Sequence, residues 1–580
     1  MCSSDLDDPL LDGLAAMIHE RTEGNPFFIE EIVRELAESG YLEGGRGAYR
    51  LVRPVENAGV PATVQTVLAA RIDRLDPEAK RLLQATSVAG KEIGERSLAL
   101  VGGFGDGVEG EAALRELIDA GFLYELELYP ERVLAFRHPL TREVAYGTQL
   151  AEQRTATHAA VARAMIELNP DRHEELAALI ANHLEEGGET LEAARWAARA
   201  AHWAGHSRPN DALRLWRSVT DLVARLEPSP ETDALALSSR LLQLDYAWRL
   251  GMARDEVARL EAEAGEIATR TGDLRALAML QMLRSARPGL EQRTADWIVG
   301  VEEANRLADE SGDDHMRVAI RAAGAYAYLC AADFVTFDRN ADEILALAGD
   351  DHAAGAGIII GCPVALALWA KAMVCREHGE LERCGQLLER SLRIAEEQGD
   401  PETASWNRGS QAMLLAMQGN PEAGVAIGRR NRELTERLGD VFSRSLALGN
   451  LGTAQLAAED YAGALESFEE AERLHREAAG GGDEQEAWRA AVRAEALTGV
   501  GRAEEATVTA AWAVEIARKR ELLWSLPLAL LALARARLAD GQGGAREALD
   551  EAAELATASG ARTTLDAIEA EREAIGAGAR

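Results

Sequence analysis

The chain has 580 residues, too many for one core and equal to about four domains unless it is a repeat array. Hydrophobic residues make up 47%, which excludes wholesale disorder; nearly a fifth of the chain is alanine and aromatics are only 5%, which argues against an all-β protein. Asp plus Glu number 97 against 62 Lys plus Arg, a net charge of -35 that repels phosphate backbones and anionic lipid. Nucleic acid and membrane surfaces are therefore excluded as partners of the whole chain.

The opening, MCSSDLDDPL, has no basic or apolar leader segment, and a helical pattern is under way by Leu11. The expectation is that the chain begins inside a larger protein, with Met1 to Leu6 a cloning or assembly scar. Helices are expected over LDGLAAMIHERTEG and NPFFIEEIVRELAESG, with Pro26 in the first turn of the second and Gly40 at its end. PATVQTVLAARIDRL, DPEAKRLLQATSVAG and EAALRELIDA read as three further helices. LYELEL and RVLAFRH follow as two short strands around a turn at Tyr129-Pro130. Three helices and a two-stranded wing describe a winged helix over about Pro61 to Leu150.

Beyond Glu174 the sequence repeats. Asn450, Leu451, Gly452, Tyr461, Ala464, Phe468 and Ala471 sit at the offsets of a tetratricopeptide helix-turn-helix, with small residues where two helices must approach closely. Gln455 stands where an aromatic is usual. Turns within pairs are expected at Gly379, Gly419, Glu459, Gly501 and Gly543. Glycines closing the second helices fall at Gly272, Gly312, Gly349, Gly399 and Gly439, where a left-handed cap suits glycine. Both series step by about 40 residues. The longer step after Gly349 marks an insertion. The expected fold class is all-α: a winged-helix region with a small wing, then a superhelical solenoid of nine or ten helix pairs over 174–570. A tail occupies 571–580. The concave face of such a solenoid is the expected binding face.

Several features carry no chemistry. Cys2, Cys330, Cys362, Cys375 and Cys384 are odd in number and never spaced CxxC, so they read as buried residues of a reducing cytoplasm rather than a disulfide or zinc set. Ala353 to Ala370 is uncharged but holds three glycines and Pro363, and reads as a buried helix pair rather than a membrane span. VAGKEIGE is not a phosphate loop, and Gly102 to Gly110 is a glycine-rich loop rather than a dinucleotide fingerprint. His202 and His206 share a helix face but lack a third metal ligand. No metal site and no catalytic constellation is expected. EAALRELIDA, the candidate recognition helix, carries a net negative charge, which DNA would repel.

RTEGNPFFIEEIVREL, VQTVLAARIDRLDPEAKRLLQATSVAGKEI and FRHPLTREVAYGTQLAEQRTATHAAVA, in this order, resemble signal-transduction ATPases with numerous domains. The likeness is to the MalT-like module attached to class III adenylate or guanylate cyclases and LuxR-type regulators. It implies a lid remnant at 7–60, a winged helix at 61–150, a connecting helix at 151–173 and a repeat sensor thereafter. It also implies that Gly24, Asn25 and Pro26 lie against a nucleotide, with Pro26 at the adenine, and that His138 senses its phosphates. Pro26 opens a helix whose free N–H groups favour an anion. The competing reading is that Pro26 only starts a helix, Phe27 and Phe28 are core, and His138 packs beneath the wing. The ATPase core with its P-loop is absent from the 580 residues, so the chain alone is expected to bind no cofactor and not to hydrolyse ATP. ATP or ADP would belong to the parent protein, the missing core being a partner in cis. The implied role is a sensor that binds a protein or small inducer on its repeats; the alternative is a free-standing tetratricopeptide adaptor.

Overall fold

The computed structural model describes residues 9–44, 49–53, 63–102, 108–129, 131–285, 293–479 and 484–578. The chain divides into two compact units, Met1–Trp196 and Ala197–Arg580, with the division inside helix Thr190–Ala204.

The first unit opens with helices Pro9–Thr22 and Pro26–Glu38. Asn25 caps the second, and Pro26 occupies its first turn. A short hairpin follows, β1 (Leu42–Glu43) antiparallel to β2 (Arg50–Leu51). Helices Val64–Asp73 and Pro77–Ala89 then begin at Thr63 and Asp76, whose side chains accept from the first-turn N–H groups. Five helices and three strands are described over 61–150, where three helices and two strands were expected. The additions are β3 (Glu92–Gly94) and helix Glu95–Gly102, ahead of helix Val108–Asp119, and helix Pro139–Gly147 at the end of the region. β4 (Leu123–Glu127) and β5 (Val133–Phe136) complete a sheet of order β3-β5-β4, with Ile93 opposite Leu134 and Leu123 opposite Phe136. β3 has only one buried side chain, Ile93, so its sequence shows no alternation to read. Residues 103–107 and Pro130 lie outside the described residues.

Two apolar clusters make this unit. Leu14, Ile18, Phe28, Ile32, Leu36 and Val67 form one; Leu68, Ile72, Leu83, Leu117, Phe122 and Leu134 are in the other. Arg71, buried, ties them together. It pairs with Glu31 and Glu38, donates to the Ala120 carbonyl at 2.8 Å and lies 4.7 Å over the Phe122 ring. Glu31 and Glu38 belong to the expected lid, and Arg71 to the expected winged helix.

The second unit is a tetratricopeptide-like helical solenoid. First helices of successive pairs start at Pro230, Leu274, Asp314, Pro363, Pro401, Val441, Glu486 and Leu526, at spacings of 44, 40, 49, 38, 40, 45 and 40 residues. Helix Arg562–Gly578 follows the last pair. The expected left-handed caps are met at Gly272, Gly312 and Gly439; Gly399 also has positive φ, and Gly349 has positive φ but a ψ of -122° outside the left-handed helical region. Within pairs, Gly379, Gly419, Gly501 and even Glu459 take positive φ; in the last pair Gly541 and Gly544 do so rather than Gly543. Gly452 lies where a Cβ would stand 2.7 Å from the Phe468 ring, and Phe468, Ala464 and Ala471 are fully buried. The apolar run at Ala353 to Ala370 divides into an irregular segment and the start of helix Pro363–Glu377, buried throughout except at Lys371. Among the described residues no helix is long and apolar enough to cross a membrane.

The solenoid coils back on itself. Thr294 Oγ1 donates to the Arg520 carbonyl at 2.9 Å, the Trp524 N–H to the Cys330 carbonyl at 3.1 Å, and Thr563 Oγ1 to the Arg376 carbonyl at 2.6 Å. Each bond joins residues about 200 positions apart, about five 40-residue helix pairs.

Gly452→Val is expected to destabilise the second unit by roughly 1–3 kcal/mol, because the added carbons meet the Phe468 ring. Thermal melts check it: Phe468→Ala, costly alone, should relieve part of the loss in the double variant.

Candidate functional site

The residues expected to face a nucleotide come from both ends of the first unit. Glu23 and Gly24 have φ of 50° and 78°, so the chain turns sharply before the helix that Pro26 opens. The Asn25 side chain accepts from the Phe27 N–H at 3.1 Å and from the Phe28 N–H at 3.3 Å; the Ile29 N–H donates to the Asn25 carbonyl. Pro26 has no N–H. The first-turn donors are thus all taken, and the expectation of free N–H groups for an anion is corrected. The cause is local: an Asn just before the helix is a strong cap.

His138 caps helix Pro139–Gly147, its Nδ1 accepting from the Leu140 N–H at 3.2 Å. That bond assigns the ring proton to Nε2. Phe27 stacks flat on the His138 ring, centroids 3.7 Å apart and planes within 7°. Both rings are half-buried, while Asn25 and Pro26 are exposed. The structure therefore brings Gly24, Asn25 and Pro26 close to His138 through Phe27. Phe28 is core as the competing reading held, whereas Phe27 is half-buried against His138.

A buried polar chain lies in the same unit, and sequence reasoning did not single it out. Tyr146 Oη contacts His158 Nε2 at 3.0 Å, and His158 Nδ1 faces His183 Nδ1 at 3.0 Å. At most one proton fits between the two facing nitrogens, so the two rings cannot both be cations. Burial, then the neighbouring His158, pushes His183 down to about 4; burial and Arg154 lower His158 against the pull of Glu186.

The second unit holds a larger buried cluster on its first helices. Arg249, of helix Pro230–Leu250, donates from Nε and Nη2 to Glu402 at 2.9 and 3.0 Å. Nη1 donates to the Asp245 carboxylate at 2.8 Å and to its carbonyl at 2.9 Å. Nη2 also donates to the Ile359 carbonyl at 3.0 Å. Asp440 caps helix Val441–Ala457 beside this cluster, accepting from the Ser443 N–H at 2.6 Å. Burial first, then Glu402, pushes its carboxyl up to about 6, against the pull of Arg249. Asp245 and Arg249, two opposite charges four residues apart in the apolar run LLQLDYAWRL, are a local signal that could have found this pair; nothing local marks Glu402 or Asp440.

A separate groove of about 810 Å³ lies among helices Pro421–Leu438, Val441–Ala457 and Tyr461–Ala479, lined among others by Arg429, Arg432, Glu433, Glu466 and Gln455. His202 packs edge-on against Trp216, and no cluster of metal-ligating side chains occurs among the described residues. The side chain of His206 and all of Cys2 lie outside the described residues; the other four cysteines are buried and form no disulfide among the described residues.

Residues 10–41 match the family model of a domain of unknown function (DUF8739). No curated protein matches the chain. Among solved structures the chain is similar to a Rap protein complexed with competence and sporulation factor, at 12% identity and a TM-score of 0.48 over 65% of this chain and 99% of that one. It is also similar to a signal-transduction ATPase with numerous domains and a tetratricopeptide repeat sensor from Pyrococcus horikoshii, at 14% identity and 0.32 over 97% and 72%. Aspartyl phosphate phosphatase F from Bacillus subtilis gives 14% identity and 0.37 over 63% and 93%.

Two pH dependences of opposite sign are expected. Asp440 binds a proton in the fold near pH 6 that the unfolded chain binds only near 4, so its contribution to stability improves as pH falls through 6. Asp440→Asn keeps the cap acceptor without the charge. It should raise the melting temperature of the second unit at pH 7.5 and leave it unchanged at pH 5. His183 has the reverse sign: its stabilisation is full above about 6.5 and is lost as pH falls toward 4. In His183→Gln, the acid-induced fall in the first unit's melting temperature over that window should flatten.

Proposed function

We propose that this chain is the non-catalytic regulatory and sensor portion of a signal-transduction ATPase. Its repeat solenoid binds a protein or small inducer, and its first unit gates a nucleotide switch whose P-loop core belongs to the parent protein. The Phe27–His138 stack carries the reading, because it brings together the two segments that the family resemblance assigns to the nucleotide. In this reading Pro26 and Phe27 offer an apolar surface to a base. The His138 Nε2–H would be the donor available to a phosphate, since Nδ1 is already held by Leu140. ATP or ADP would be the parent's ligand, contacting this chain at Gly24, Asn25, Pro26 and His138. A partner that binds the solenoid more tightly in one state than the other would shift the switch. The resemblance covers both cyclase-linked and LuxR-type parents and does not choose the output between them. A cytoplasmic site of action fits buried cysteines that form no disulfide among the described residues.

One observation favours the second reading, a free-standing tetratricopeptide adaptor. The donors at the start of helix Pro26–Glu38 are satisfied without any ligand.

The purified chain is expected to show no ATP turnover above a buffer blank in a phosphate-release assay. Turnover that survives further purification would overturn the proposal.

A further inference from the structure

The widest spacing between first helices, 49 residues, encloses the segment between helix Phe334–Ala348 and helix Pro363–Glu377. No helix or strand forms there, yet Ala354, Ile359, Ile360 and Cys362 are at most 6% exposed. Irregular backbone ordinarily runs over the surface, where water satisfies its polar groups. Here protein groups do so. The Gly355 N–H donates to His315 Nδ1 at 3.1 Å, and the Ile359 carbonyl accepts from Arg249 at 3.0 Å. The Gly357 N–H closes a turn on the Ile360 carbonyl at 2.9 Å.

The fit is close at both ends. A Cβ on Gly355 would stand 2.7 Å from the His315 carbonyl oxygen, and one on Gly361 would stand 2.5 Å from the Asp400 carboxylate. The segment is therefore seated against three first helices: Pro230–Leu250, Asp314–Cys330 and Pro401–Met417, which Asp400 caps. The other pairs are built without such an insertion, at spacings of 38 to 45 residues.

We propose that residues 353–362 are a built-in plug seated on first helices of the solenoid, and that its seat accepts in exchange a turn-forming apolar peptide segment of a partner protein. The inference rests on the solenoid binding a protein partner, which the sensor and the adaptor readings share. The seat reads the plug in two ways. Arg249 binds a main-chain carbonyl, which any peptide segment offers. Burial of Ile359 and Ile360 selects apolar side chains at adjacent positions. Asp245 and Glu402 already match the Arg249 charge, and Asp400 is close by, so an acidic segment is disfavoured. Positive φ at Gly349, Gly355 and Gly357 gives the plug glycine joints on its entry side.

The probe is a labelled peptide of residues 353–362 with Cys362 replaced by serine. Fluorescence anisotropy is read with the full chain and with an Ile359→Ser/Ile360→Ser variant, whose own plug seats weakly. The variant is expected to bind the peptide at least about tenfold more tightly than the parent chain, because its seat is open more of the time. A variant that melts cooperatively and binds no peptide overturns the plug. If the variant does not fold, hydrogen exchange on the unaltered chain decides. Amides of 353–361 should exchange at least about tenfold faster than those of helix Pro363–Glu377. Equal protection overturns the inference. Either failure leaves a partner site elsewhere on the solenoid intact, whereas ATP turnover by the chain would sink the sensor reading and leave the plug standing.

Discussion

Arg249 has five N–H bonds, and all five are used. Its acceptors come from its own helix, from the irregular segment at Ile359 and from Glu402, 153 residues further on. A guanidinium this deeply buried is tolerable only with its charge matched; without Asp245 and Glu402 it would be an uncompensated buried charge, at a cost of about 3–5 kcal/mol. The register between early and later turns of the solenoid is thereby made nearly all-or-none. The other bonds between turns, at Arg520, Cys330 and Arg376, lie along the same closure. A tetratricopeptide array is usually imagined with an open concave face. Here part of the first-helix surface, at Arg249 and Thr294, for example, is spent on contacts between distant turns, so in the plug proposal binding exchanges one set of contacts for another.

The first unit uses the same device. Arg71 is buried between Glu31 and Glu38 and binds the Ala120 carbonyl, much as Arg249 binds that of Ile359. Through it, helix Pro26–Glu38 is fixed to helix Val64–Asp73, and the Gly24–Pro26 turn is held where Phe27 meets His138. The ion pair sets the packing of the helices, the packing sets the stack, and the stack gives the nucleotide reading its geometry. Asn25 marks the limit of that reading, since it has already satisfied the donors an anion would need.

The solenoid was legible because its signals are local and recur. Glycine at a left-handed cap and a small residue opposite Phe468 are chemical necessities of one repeat, visible every 40 residues or so. The strand Glu92–Gly94 was not legible, because three residues carry no period and its partner lies some 40 positions away. The buried clusters were hidden for a related reason. Glu402 and Asp440 look like ordinary charged residues at helix starts, and only the coiling of the solenoid removes them from water. For the candidate site, Gly24, Asn25, Pro26 and His138 came from family likeness, and Phe27, which joins them, was read only as core. Stacking between residues so far apart leaves no mark in either local pattern.

The two functional readings share the fold and differ in what precedes it in the gene. A sensor portion needs a P-loop core in cis; an adaptor needs only its own repeats. The DNA upstream of the codon for Met1 separates them most directly. An uninterrupted reading frame encoding GxxxxGK[ST] between a strand and a helix is the result the account predicts. An in-frame stop with a ribosome-binding site just before Met1 would contradict it, and the nucleotide switch would then be abandoned for the adaptor.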